Sequence, residues 1–294
     1  MKLMTEKTVQ SIVDNCLCTG CGACAGICPA HVIEMKTNCS GYLYAAVDSR
    51  LCILCGKCAK VCPSNPDNEY STEIDHLRIG KNIAGYVGYA TEPVIRNMSQ
   101  SGGVVTALLC YLLERGDIEG AIVNNLNEKT ARPECTLATS KEAIIDAAGS
   151  YYSQSPVVKT ILEHTDKKTA AVVLGCQAES LHFIRKKYPK ITLPEYTIGL
   201  ICAGQNSGYM IDDLIEQMGY DMEDKDRFRF RFRFRFKYKP CGGWPGDIYL
   251  SASNREYRLP KERRHALKQV YELHRCIPCF DKMNAFCDIG CGDP

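Results

Sequence analysis

Eight cysteines within the first 62 residues fall into two copies of one spacing. Cys18, Cys21, Cys24 and Cys28 are followed by Pro29, and Cys52, Cys55, Cys58 and Cys62 by Pro63. Three thiolates set two residues apart can wrap one 4Fe–4S cube if the backbone curls tightly, while the fourth ligates the neighbouring cube. The spacing therefore assigns Cys18, Cys21, Cys24 and Cys62 to one cluster, and Cys52, Cys55, Cys58 and Cys28 to a second. Gly20, Gly22 and Gly56 supply the curl, because glycine adopts positive φ at little cost. Pro29 and Pro63 then turn the chain away.

Cys-x-x-Cys pairs also serve zinc sites and disulfide frameworks. Two complete repeats, each closed by proline, argue against both, and the spacing resembles that of bacterial-type ferredoxins. Cys16 and Cys39 stand outside it and are expected not to ligate. The 294-residue chain has room for about two domains. A 45% hydrophobic and 24% charged composition is that of a soluble globular protein, and a net charge of +2 gives no reason to expect nucleic acid as a partner. The first fourteen residues lack the apolar core of a secretory signal, and no stretch has the length of a membrane span. Nineteen cysteines with cluster-type spacing read as reduced thiols in the cytoplasm.

The expected fold class is α+β / α/β: a small dicluster ferredoxin-like domain followed by an α/β domain with a mainly parallel sheet. The boundaries are 1–70, a linker at 71–82, and 83–294. Within the second part, strands are expected at 84–90, 93–98, 120–125, 170–175 and 197–202. Helices are expected at 102–115, 141–148, 155–164, 179–187 and 209–218. Short apolar strands alternating with amphipathic helices predict a parallel sheet, whose ligands sit beyond the carboxyl ends of the strands. Residues 227–239 alternate Phe or Tyr with seven Arg or Lys. That period of two describes a strand with one apolar and one basic face. Its aromatics pack a core, its cations dock an acidic electron-transfer partner, or its rings stack on nucleic acid; the acids at 221–226 make the last the weakest choice.

Three features of the α/β part carry chemistry. Ser99-Gln100-Ser101-Gly102-Gly103 opens a helix, where free N–H groups suit phosphate. Gly149-Ser150-Tyr151-Tyr152-Ser153-Gln154-Ser155-Pro156 is a hydroxyl-rich loop entering another helix. Cys176 and Cys202 end predicted buried strands, and Cys276 and Cys279 form a close pair; spacing alone leaves open whether these four hold a cluster or are buried free thiols. The six histidines have no metal-type spacing and are assigned no role.

Together these residues resemble the coenzyme F420 hydrogenase/dehydrogenase β-subunit family. The resemblance runs through Ser101-Gly102-Gly103-Val104, Ala148-Gly149-Ser150-Tyr151-Tyr152 and Gly175-Cys176-Gln177. It continues with Ile198-Gly199-Leu200-Ile201-Cys202, Gly243-Trp244-Pro245-Gly246, Cys276-Ile277-Pro278-Cys279, and Asp288-Ile289 with Gly292-Asp293. It implies FAD, a third 4Fe–4S cluster on Cys176, Cys202, Cys276 and Cys279, and flavin or donor contacts from Ser101, Gly102, Gly103, Tyr152, Ser155 and Gln177. The chain departs from the pattern at Leu174-Gly175, where relatives have Thr-Pro. Cys287 and Cys291 stand where relatives have small or polar residues, which makes them alternative ligands. It also stops at Pro294 where relatives continue, so the flavin or substrate site is expected to be either incomplete or completed by another subunit. The implied function is an iron–sulfur flavoprotein oxidoreductase linking a two-electron carrier, such as reduced coenzyme F420, to a redox partner or larger complex. The alternatives are a non-catalytic electron relay and a ferredoxin-fed thiol-disulfide reductase using Cys287 and Cys291.

Overall fold

The computed structural model describes residues 7–68, 82–127, 129–220, 235–237, 246–252 and 255–293. Among its described residues the N-terminal module holds the short helices α1 (Gln10–Asp14), α2 (Ala23–Ile27) and α3 (Lys57–Lys60), and an antiparallel hairpin of β1 (Ile33–Thr37) and β2 (Leu43–Val47). Helices α2 and α3 each follow a left-handed glycine, Gly22 at φ +79° and Gly56 at +73°. These are the curls the spacing requires. The module's core is built partly from the cysteines themselves: Cys24, Cys28 and Cys58 pack with Val9, Ile33 and Ala45.

The larger unit is a five-stranded sheet in the order β10-β6-β5-β3-β4, formed by β3 (Gly120–Asn127), β4 (Arg132–Ala138), β5 (Thr169–Val173), β6 (Tyr196–Leu200) and β10 (Ile289–Cys291). All neighbours run parallel except the β3–β4 hairpin. Period-two alternation splits each inner strand between two faces. Ile122, Ala171 and Val173 face helices α7 (Val157–Glu163) and α8 (Gly175–Lys187), whereas Ala121, Val123 and Ala170 face α4 (Pro93–Met98), α5 (Val104–Glu114) and α6 (Lys141–Asp146). A smaller layer follows, in which α9 (Tyr209–Gln217) packs against strands β8 (Ile248–Ala252) and β9 (Arg255–Leu259) through Met210, Leu214, Ile248 and Leu250. Helix α10 (Lys261–Tyr271) completes it. Of the predicted basic-aromatic strand, only β7 (Arg235–Lys237) lies among the described residues, paired to β8.

The sheet and the principal helices are as expected. Two of the expected strands are not. Residues 84–90 form none: Gly85 and Gly88 stand in open space, and Ile83, Tyr86, Val87 and Tyr89 are exposed. Residues 93–98 are a helix, because Pro93 occupies the first turn, where its missing N–H costs nothing, and Ile95 is the side chain it buries. Helix α8 begins at Gly175, four residues before expectation, so Cys176 sits in its first turn and not on a strand. The predicted linker and most of residues 227–239 lie outside the described residues.

The small module is bonded to the large one along a broad seam. Gln154 accepts from Leu43 N (2.7 Å) and donates to Leu43 O (2.9 Å). Ser207 Oγ donates to Ser40 O (2.6 Å), and Arg275 donates to Ser64 Oγ and Pro63 O (both 3.2 Å). Ala23 and Ile27 of α2 pack in one cluster with Val157, Val158 and Ile161 of α7. The two modules therefore share a hydrophobic core.

Candidate iron–sulfur centres and the adjoining polar turn

Cys28, Cys52, Cys55 and Cys58 line one cavity together with Ile53, Gly56 and Lys57. The spacing had grouped these four. The other N-terminal quartet shows itself through mutual electrostatics. Burial, then the fields of Cys21, Cys18, Cys62 and Cys58, push the Cys24 thiol well above the ordinary range. Burial raises Cys62 and Cys18 too, with Cys21 adding to each. Thiols crowded in this way resist ionisation unless a cation compensates the charge, as cluster iron does. The donor sets therefore fit iron–sulfur groups. Among the described residues, no three His, Cys, Asp or Glu side chains close around a single metal ion. Cys16 and Cys39 are exposed.

The third quartet comes from separate elements. Cys176 opens α8 just beyond β5, Cys202 follows β6, and Cys276 ends the short turn His274–Cys276, with Cys279 beyond it. Both strand ends are at the carboxyl edge of the parallel sheet, where ligands gather. Burial raises Cys176 well above its ordinary value, followed by the fields of Cys21, Cys202, Cys276 and Cys279. Cys202 Sγ accepts from Gly204 N and Cys276 Sγ from Gln205 N, each at 3.4 Å. Backbone N–H groups aimed at sulfur are what a cluster thiolate needs. The glycine at 175 has a local cause: a Cβ there would collide with the Asp281 carbonyl. Cys287, pushed by burial to about 12, has its Sγ 3.5 Å from Asn284 Oδ1. Cys291 lies on β10.

The six residues expected to contact flavin form two groups. Ser101 Oγ donates to Asp293 Oδ1 (2.5 Å), the Gly102 carbonyl accepts from Ala90 N (2.7 Å), and Gly103 caps α5 at φ +76°. The second group surrounds the turn before α7. Ser155 Oγ donates to Asn124 Oδ1 (2.6 Å), and Gln177 accepts from Leu174 N (2.9 Å), closing the cap of α8. The side chains of Ser155 and Gln177 thus hold the turn itself. The Tyr152 carbonyl accepts from Asn206 N and Nδ2, both at 3.1 Å, and burial pushes its hydroxyl to about 12.

Sequence reasoning singled out the loop that contains Ser153 but missed Asn206 beside it. Ser153 Oγ and Asn206 Oδ1 are buried with no hydrogen-bond partner among the described residues. Buried polar atoms are normally paired, so orphans there suit the polar edge of a bound ring system. It also missed the pair of Glu179 on α8 and Arg275, 3.8 Å apart, with the field of Glu179 reaching Cys62. Burial holds the Glu179 carboxyl up at about 8, against the pull of Arg275. Nothing in the spacing of either residue signals the contact.

Residues 17–65 match the 4Fe-4S dicluster domain. Residues 85–161 match "Coenzyme F420 hydrogenase/dehydrogenase, beta subunit N-term", and residues 166–294 the corresponding C terminus. The chain belongs to the coenzyme F420 hydrogenase/dehydrogenase β-subunit family. Its relatives include the coenzyme F420 hydrogenase subunit beta of Methanothermobacter thermautotrophicus, 27% identical over 216 residues, 69% of this chain and 69% of that protein. The coenzyme F420-dependent sulfite reductase of Methanocaldococcus jannaschii is 28% identical over 75% of this chain, but only 36% of that protein is covered. A chain of the F420-reducing [NiFe] hydrogenase complex from Methanosarcina barkeri has the same fold, with a TM-score of 0.57 and 23% identity over 74% of this chain and 72% of that one. Among the described residues, no helix is long and apolar enough to cross a membrane.

Proposed function

We propose that this chain is an iron–sulfur, FAD-dependent electron-transfer subunit, joining a two-electron carrier of the coenzyme F420 type to a one-electron redox partner within a larger oxidoreductase. One observation supports the reading: the proposed quartets are neighbours. Cys24 of the first packs in one cluster with Cys28 and Cys58 of the second, and Cys21 of the first lies 3.8 Å from Ser180 on α8, whose first turn carries Cys176 of the third. In this reading Cys18, Cys21, Cys24 and Cys62 hold one cluster, Cys28, Cys52, Cys55 and Cys58 another, and Cys176, Cys202, Cys276 and Cys279 a third. Residues 1–70 and 83–294 are the two functional modules. The bound groups supply hydride acceptance at flavin and single-electron steps at iron.

The chain's own residues bind and orient. The N-terminus of α5 at Ser101, Gly102 and Gly103 presents N–H groups to phosphate. Tyr152, Ser153 and Asn206 would hold the flavin ring system, while Ser155 and Gln177 fix the turn beside them. Anaerobically purified protein is expected to hold about twelve irons and one FAD, and to reduce a dye with reduced coenzyme F420. Material with iron but no flavin uptake and no dye reduction supports the second reading, a non-catalytic relay. That reading is favoured by one observation, the commitment of the Ser155 and Gln177 side chains to internal hydrogen bonds.

A further inference from the structure

Each position of the first cysteine run has a counterpart 34 residues later, so the two runs present equivalent faces. In the first run that face is covered. Cys21 Sγ lies 3.8 Å from Ser180 Oγ of α8, and Cβ atoms at Gly22 and Gly26 would strike Pro156, Lys159 and Leu162 on or beside α7. In the second run the matching face is open. Leu51 and Ile53 are each 64% exposed, Cys55 is exposed, and among the described residues a Cβ at Gly56 would meet nothing nearer than Lys7 O at 3.6 Å. Ile53 and Cys55 belong to the cavity lined by Cys28, Cys52 and Cys58. Leu54 holds φ +53° where the first run has Gly20, so the loop keeps its presentation without the residue that would make it easy.

What replaces the small residues of the covered face identifies its occupant. Ala23 and Gly26, which allow a helix to pack closely, become Lys57 and Lys60. Lys57 lies with Nζ 5.6 Å from the Tyr188 ring, and just before Tyr188 helix α8 ends in Arg185, Lys186 and Lys187. On the other side the Arg50 side chain is 88% exposed and already neutralises Asp48 at 3.1 Å. The result is an apolar centre over a cysteine quartet, with a net cationic edge on the side of Lys57, Lys60 and the end of α8 and an ion-paired Arg50 opposite.

We propose that this face is the docking site of an acidic, one-electron carrier protein of the ferredoxin class; the inference rests on the reading of Cys28, Cys52, Cys55 and Cys58 as a cluster site. An apolar centre with a charged edge matches a transient protein interface, and the edge's sign selects an acidic partner. A second copy of this chain would bring the same cations to the contact and be repelled. One electron passes per encounter: this chain is oxidised as the carrier is reduced, and no bond or proton moves.

The test uses the full chain, reconstituted with iron and sulfide without oxygen, and a plant-type [2Fe–2S] ferredoxin as the probe, followed by calorimetry at low and high salt. Saturable binding that weakens about tenfold or more in salt is expected. Leu51→Asp and Lys60→Glu should each weaken it by about tenfold with iron content and visible spectrum unchanged, while the distant Lys168→Glu leaves it intact. The proposal is overturned if the wild-type chain fails to bind, if the face variants bind like wild type, if Lys168→Glu weakens binding equally, or if sedimentation shows a dimer that Leu51→Asp dissociates. A chain that binds the probe but takes up no iron at Cys28, Cys52, Cys55 and Cys58 would sink the functional reading and leave the docking face standing.

Discussion

The two cysteine runs are near copies in sequence and opposites in setting. The first is enclosed between modules: Cys21, Ala23 and Ile27 belong to the core of the α/β unit. The second keeps only Cys58 buried and presents Cys55 to solvent. Both curl through left-handed glycines, Gly22 and Gly56, but a Cβ on the first would strike Pro156 and Lys159, while one on the second would meet only the Lys7 carbonyl at 3.6 Å among the described residues. The same local geometry thus serves two purposes, decided by what stands a few ångströms away. A repeat in sequence does not imply a repeat in energetics.

The sharpest contrast should come from removing one thiol of each run. Cys21→Ser is expected to abolish most iron–sulfur absorbance and to lower the thermal stability of both modules, because its sulfur belongs to the shared core. Cys55→Ser should lose about one cluster's iron while the α/β unit melts almost unchanged. Equal losses in iron content and melting temperature would erase the distinction.

The next effect concerns pH and lies on the enclosed side. Glu179, whose field reaches Cys62, keeps its proton up to about 8 in the folded chain, burial being the main cause. The unfolded chain gives that proton up near the ordinary glutamate value of about 4.3. Between these limits the folded state holds the extra proton, so stability falls as pH rises, by roughly 3–5 kcal/mol, and is level on either side. Glu179→Gln should flatten the melting temperature across that window. An unchanged slope would locate the titration elsewhere.

Smaller still is the glycine pair. Gly22→Ala combines left-handed strain with contacts of 2.8 and 2.9 Å to Lys159 and Pro156, and should cost about 2–3 kcal/mol in denaturant unfolding. Gly56→Ala carries the strain alone, about 1–2 kcal/mol. A loss of the same size, about 1–2 kcal/mol, is expected for Gln154→Ala, which strips both seam hydrogen bonds from Leu43 and has no counterpart on the second run. Cluster content should be retained in that variant.

The dicluster character of residues 17–65 was legible because its cysteines lie close along the chain and the loop geometry is local. The grouping of Cys176, Cys202, Cys276 and Cys279 stays a proposal: these residues follow β5, β6 and α10, far apart in the chain, and the resemblance to a family suggested what spacing could not. The sheet was readable because Ile122 alternates with Ala121 and Val123, and its helices because their apolar faces repeat. Residues 84–90 look like a strand, yet a strand needs a neighbour to bond, and composition says nothing about neighbours. Strand β4 was missed because it contains Pro133, which an antiparallel edge tolerates. Strand β10, only Ile289–Cys291, owes its identity to β6 beside it. The seam was invisible for the same reason. Gln154 and Ser207 are ordinary polar residues until Leu43 and Ser40 arrive opposite them.

The shared core has a further consequence for how such a chain can work. Helix α2 lends Ala23 and Ile27 to the larger unit, so detaching the small module would strip Val157, Val158 and Ile161 of their cover. A swinging arm that ferries charge between distant stations is ruled out by that burial. In the proposed function, the carrier would be the part that moves, coming to the open end and leaving again.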